Sequence, residues 1–93
     1  MPKIAGIEIS DETAREKDEI VRLRRYFHSR PETGYHEVET SRKIKEYLEA
    51  IGLPVKTGFA ETGLTGLIRG SKPGPVIMYR ADMDALPITE ENP

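Results

Sequence analysis

The sequence predicts an α/β fold: two N-terminal helices packed on a short mixed or antiparallel three-stranded sheet, in the order α-α-β-β-β. Two observations carry that expectation. Up to Ile51 the apolar residues recur at helical spacing. After Pro54 they fall into short β-like runs separated by glycine and proline. Three strands make a thin sheet with exposed edges, along which the unit could self-associate or pair with a further segment.

Residues 1–10 place Ile4, Ile7 and Ile9 among polar neighbours, the pattern of an edge strand or a loose arm. Ser10 or Asp11 is suited to cap a helix over residues 11–29, with Glu12 and Glu16 favourably placed near its start. Ile20, Leu23 and Phe27 lie on one face of that helix, and Arg22, Arg24 and Arg25 toward its C-terminal end. Arg30 precedes Pro31, which disfavours helical angles and ends the helix near Ser29. "RPETGYHE" reads as a turn.

A second helix is predicted over residues 37–51. Ile44, Tyr47, Leu48 and Ile51 form its apolar stripe. Gly52 supplies a left-handed residue after the last turn, Leu53 can fold back on Leu48, and Pro54 blocks continuation. Strands are predicted over 55–57, 64–69 and 76–81, the last two joined across "GSKPGP" as a hairpin.

Composition narrows the function classes. The chain is 37% hydrophobic and 32% charged, a balance that fits a globular protein, neither disordered nor fibrous. Its 14 basic and 16 acidic residues are interspersed, leaving a net charge of −2 and no basic footprint for nucleic acid. With no cysteine, disulfides and thiolate metal sites are excluded within the chain. "MPKIAGIEIS" lacks the apolar core of a signal peptide, and no apolar run nears the roughly 18 residues of a membrane span. A cytoplasmic protein with no membrane partner is expected.

Asp82 and Asp84 are the foremost site candidates. If the chain stays extended past Ala81, residues two apart face the same way, so the strand end presents two carboxylates together. Such a pair suits a hard metal ion, or the orientation of a metal-bound histidine. Spacing alone favours a plainer arrangement, with Asp82 paired to Arg80 and Asp84 capping the turn before Pro87. His28, near a helix C-terminus, is expected to bond a free carbonyl, and His36 to be a solvated turn residue. They have no i, i+4 relation and form no helical metal pair. Gly63, Gly66 and Gly70 lack the order of a phosphate loop and are read as permitting turns and close strand packing. There is no Gly-x-Ser-x-Gly elbow and no thiol nucleophile.

Three landmarks in order are more telling: Arg25-x-x-His28-x-x-Pro31-Glu32, the T-G-L-T-G stretch at 62–66, and Arg80-Ala81-Asp82-Met83-Asp84-Ala85-Leu86-Pro87. Over about Ile20 to Glu90 the chain resembles the start of the metal-dependent amidohydrolases of the aminoacylase and carboxypeptidase metallopeptidase family. These include hippurate hydrolase, N-acyl-amino-acid amidohydrolases, thermostable carboxypeptidases and indole-acetyl-amino-acid hydrolases. The resemblance implies that residues 1–93 are an incomplete portion of a zinc-peptidase-like catalytic domain, a mixed sheet between helices with a smaller domain inserted later. It implies that the strand ending at Ala81 brings Asp82 and Asp84 to the edge of the active site. Asp84 falls where a family aspartate orients a metal-binding group, and Asp82 where the dipeptidase branch has a histidine ligand. Both are assigned an orienting role behind the ligands, and neither is assigned as a ligand itself.

The family resemblance also implies a divalent metal pair (Zn, Mn, Co or Ni) in the complete enzyme. That pair would activate water against the amide of an N-acyl amino acid or small peptide. Its ligands would come chiefly from a Cys-Gly-His segment, a glutamate and further histidines. Those lie beyond residue 93, so this chain alone is expected to bind no metal and to be inactive. The competing expectation is a stand-alone, non-catalytic α/β interaction module or one piece of a split enzyme. A third reading is an autonomous metal binder using Asp82, Asp84 and a histidine.

Overall fold

The computed structural model describes residues 3–88. Residues 1–2 of the expected arm and 89–93, where the resemblance ends, lie outside the described residues. The chain divides into two compact units, one running to Arg30 and the other starting at Pro31.

The first unit opens on a hairpin, so the expected arm is paired with itself. β1 (Lys3–Ile4) runs antiparallel to β2 (Ile7–Glu8), with Lys3 opposite Glu8. Ala5 and Gly6 make the turn at φ of 52° and 79°, the doubly left-handed form whose twist matches that of the strands. Ser10 then caps α1 (Asp11–Arg15): its Oγ accepts the Thr13 N–H at 3.2 Å and donates to Thr13 Oγ1 at 2.8 Å.

The single helix expected over 11–29 is divided. α2 (Lys17–His28) starts after Glu16, which sits at φ −87° and ψ 1°. The Glu16 N–H donates to the Thr13 carbonyl at 3.1 Å, three residues back instead of four. α1 buries no residue, so no apolar stripe holds it in register with α2. Leu23 and Phe27 are half-buried as expected, but Ile20 in the first turns of α2 is 53% exposed. Tyr26 meets Phe27 edge-to-face at 5.4 Å, and the Arg30 guanidinium lies 4.4 Å from the Tyr26 ring centre.

In the second unit, α3 (Val38–Ala50) half-buries Ile44, Tyr47 and Leu48. Ile51, expected on the same stripe, is exposed at the C-cap, past the last helical turn. The stop is the one the sequence indicates. Gly52 takes φ +90°, its N–H reaches the Glu49 carbonyl at 3.0 Å, and the Leu53 N–H reaches the Leu48 carbonyl at 3.0 Å.

β3 (Val55–Phe59) and β4 (Gly63–Gly66) form an antiparallel hairpin under α3, with Val55 opposite Gly66 and Thr57 opposite Leu64. Gly58, at φ +90°, is the extra residue of a bulge before Phe59 pairs with Gly63. The approach of helix to hairpin is close: a Cβ built on Gly66 would lie 3.1 Å from Leu48 Cδ1.

The molecule is α/β, as the sequence predicts, but its sheets are narrower. The strand expected over 64–69 ends at Gly66, and the Leu67 N–H turns to the Pro54 carbonyl at 3.2 Å. The strand expected over 76–81 is not formed among the described residues. Pro73 and Pro75 bring no N–H to a ladder, and β4 already pairs with β3. Val76 and Tyr79 are left 93% and 97% exposed. Among the described residues no apolar side chain is fully buried. Those that are buried are polar: Glu37 and Thr40.

Candidate functional site

That polar burial marks a junction in the second unit. Glu32 lies six residues before α3, yet its carboxylate sits on the helix N-terminus. Oε2 accepts the Glu39 N–H at 3.2 Å, and Oε1 accepts the Thr40 N–H at 2.6 Å. These are two of the orphan donors of a first helical turn, and a negative charge there also suits the helix dipole. Burial alone would raise the Glu32 pKa. Hydrogen bonds from the Thr40 side chain and from the Thr40 and Glu39 amides outweigh it and hold the carboxyl below its ordinary value of 4.5.

The sign of the resulting pH dependence follows. A lowered folded-state pKa contributes stability that is complete above pH 4.5 and is lost as pH falls through the lowered value. Acid titration of α3 helicity by circular dichroism should lose part of its acid transition in Glu32→Gln. An unchanged transition would contradict this role for Glu32.

Glu37 ties the start of α3 to the hairpin. Its Oε1 accepts the Tyr35 N–H at 3.0 Å, and its Oε2 accepts the Thr62 hydroxyl. Tyr35 reaches this position in a left-handed conformation at φ 63°. Thr62 ends a loop in which Ala60 and Glu61 also take positive φ, 46° and 72°. Gly63 follows because nothing larger fits: an added Cβ would lie 2.5 Å from the Phe59 carbonyl oxygen.

The third landmark joins the same junction. The Ala85 N–H donates to the Glu32 carbonyl at 2.8 Å, and nearby Met83 is half-buried. Parts of all three sequence landmarks, Pro31-Glu32, Thr62-Gly63 and Asp84-Ala85, are thus linked through Glu32, Glu37 and α3.

No protein-family profile matches the chain, and no solved structure does. Curated proteins do match. Thermostable carboxypeptidase 1 of Saccharolobus solfataricus is 45% identical over 75 residues, covering 80% of this chain and 19% of that protein. IAA-amino acid hydrolase ILR1-like 2 of Arabidopsis thaliana is 48% identical over 73 residues, 78% of this chain and 16% of that protein. N-acetyldiaminopimelate deacetylase of Listeria innocua is 42% identical over 77 residues, 80% of this chain and 20% of that protein. This chain belongs to the amidohydrolase and carboxypeptidase family. It spans about a fifth of the length of the curated relatives it matches.

Within this amidohydrolase-family segment, Asp82 and Asp84 are both exposed. Asp82 Oδ1 accepts from Arg80 Nη2 at 3.2 Å, the plainer pairing that the spacing favours. Between two exposed side chains such a pair contributes about 0–1 kcal/mol, so it does not fix Asp82 firmly. His28 is exposed in the last turn of α2, in the first unit. His36 is exposed in the loop before α3, its N–H donated to the Thr33 carbonyl at 3.0 Å.

Among the described residues no three His, Cys, Asp or Glu side chains gather where they could hold a metal ion. The described residues therefore do not fit a metal pair by themselves. Sequence reasoning gave no role to Glu32, Glu37 or Thr62. Glu32 and Thr62 stood inside the landmarks, and an acidic residue just ahead of a predicted helix was the available signal for Glu32. Nothing in the spacing pairs Glu37 with a threonine 25 positions on.

Proposed function

We propose that this chain is the N-terminal part of the catalytic domain of a metal-dependent amidohydrolase that cleaves the amide bond of N-acyl amino acids or small peptides. The names of its relatives support the reaction class: carboxypeptidase, IAA-amino acid hydrolase, deacetylase. The observation that carries the reading is the Ala85–Glu32 bond, which tethers the exposed Asp82–Asp84 pair to the rim of a packed unit. In this reading Asp82 and Asp84 accept hydrogen bonds from metal-binding side chains supplied by residues outside these 93, and hold them in working orientation. A divalent metal pair of Zn, Mn, Co or Ni would activate water there. Among the described residues no three His, Cys, Asp or Glu side chains gather to hold that pair, and in this reading the segment alone does not hydrolyse amides. No described helix is long and apolar enough to cross a membrane, and a cytoplasmic location completes the proposal.

A chimera tests it. The matching 75 residues of thermostable carboxypeptidase 1 are replaced by those of this chain, and hydrolysis of an N-acyl amino acid is followed with added Zn or Mn. The chimera should turn over and its Asp84→Ala variant should lose about 10–100-fold, while the 93-residue chain alone shows none. Turnover by the chain alone above its own Asp84→Ala control would overturn the inactivity. A folded chimera without activity would favour a non-catalytic interaction module, for which the exposed Val76–Tyr79 run is the available surface.

A further inference from the structure

We propose that Glu32 is a positioning residue for the Asp82–Asp84 pair, acting through two hydrogen-bonding ends of one amino acid. The inference rests on the amidohydrolase reading only for what the aspartates do. The positioning itself is a property of this chain.

The side chain of Glu32 is fixed from one direction by the Glu39 N–H at 3.2 Å and the Thr40 N–H at 2.6 Å. A bidentate, charge-assisted contact of this kind restrains the whole residue, because the helix supplying both donors is itself rigid. Thr40 is buried, which shields the contact from competing water. The backbone of Glu32 is fixed from the other direction by Pro31, whose ring limits the chain entering it.

The Glu32 carbonyl, held between those constraints, accepts the Ala85 N–H at 2.8 Å. Ala85 directly follows Asp84, and residues 67–88 have no ladder to order them among the described residues. This bond, with the half-buried Met83, ties the stretch that carries the two carboxylates to Glu32 within the second unit. Glu32 thus transmits the position of α3 to the aspartates without touching them.

Amide hydrogen exchange and the 15N–1H spectrum of the 93-residue chain test this. In Glu32→Ala the Ala85 amide should exchange about 10-fold faster or more, the equivalent of one lost hydrogen bond of about 1.4 kcal/mol. Its resonance should move toward the position of an unstructured alanine. Amides of the β3–β4 hairpin should keep their protection. Glu32→Gln keeps an acceptor oxygen and should restore most of the Ala85 shift and protection, a rescue that a general loss of stability would not produce. Unchanged Ala85 exchange in Glu32→Ala would overturn the proposal. So would equal acceleration at Ala85 and throughout the hairpin, or failure of Glu32→Gln to recover Ala85. None of these outcomes depends on activity, so the positioning role and the amidohydrolase reading can fail separately.

Discussion

Gly63→Val should destabilise the second unit by about 2–3 kcal/mol, the upper part of the range for forcing a side chain into filled space. That raises the unfolded population about 30–150-fold, at 1.4 kcal/mol per factor of ten. The reason is local and severe. A Cβ at Gly63 would lie 2.5 Å from the Phe59 carbonyl oxygen and 3.2 Å from the Phe59 Cβ, so the hairpin backbone itself must move. Gly66→Ala is the informative control. Its Cβ would meet Leu48 Cδ1 at 3.1 Å, the end of a flexible side chain that can rotate aside. Urea denaturation should therefore show a large shift for Gly63→Val and a small one for Gly66→Ala. Equal midpoints for the two would mean that the β3–β4 turn has room for a side chain at Gly63.

Glu37→Ala should cost about 1–3 kcal/mol, because it removes a buried acceptor and strands two donors, the Tyr35 N–H and the Thr62 hydroxyl. Thr62→Val alone strands only one carboxylate oxygen. If the Glu37–Thr62 contact joins α3 to the hairpin, the double mutant should cost less than the sum of the singles by about 0.5–2 kcal/mol. Strict additivity in denaturant titrations would show the two residues acting independently. The effect is large for so small a chain, because no described apolar side chain is fully buried to compensate.

Both results would bear on how the landmarks work. Taken as spacing, the glycines of T-G-L-T-G read as permitting turns and close strand packing, not as a phosphate loop. In the structure Thr62 is an anchor for Glu37 and Gly63 is a place where a side chain has no room. Pro31-Glu32 reads as part of the turn that follows the first helix. In the structure it begins the second unit and caps the helix after it. Local signals were legible because their causes are local: the Ser10 cap, the α2 stop before Pro31, and the Gly52-Leu53 ending of α3 each depend on a few adjacent residues. The strand expected over 76–81 and not formed shows the opposite case. Val76–Ala81 has strand composition, but a strand needs a ladder partner, and composition does not say whether one is within reach.

The sequence by itself carried the family resemblance, the α/β class, the start of the first helix, the stops before Pro31 and after Ala50, and the candidacy of Asp82 and Asp84. Each of these is written in residue identity and short-range spacing. Only the tertiary structure decided that Glu32 binds residues seven and eight positions away and carries Ala85 on its carbonyl, and that Glu37 reaches Thr62. The Ala85–Glu32 and Glu37–Thr62 contacts close long loops. Their partners are chosen by how α3 settles on the β3–β4 hairpin, not by any preference of the residues for their neighbours in the chain.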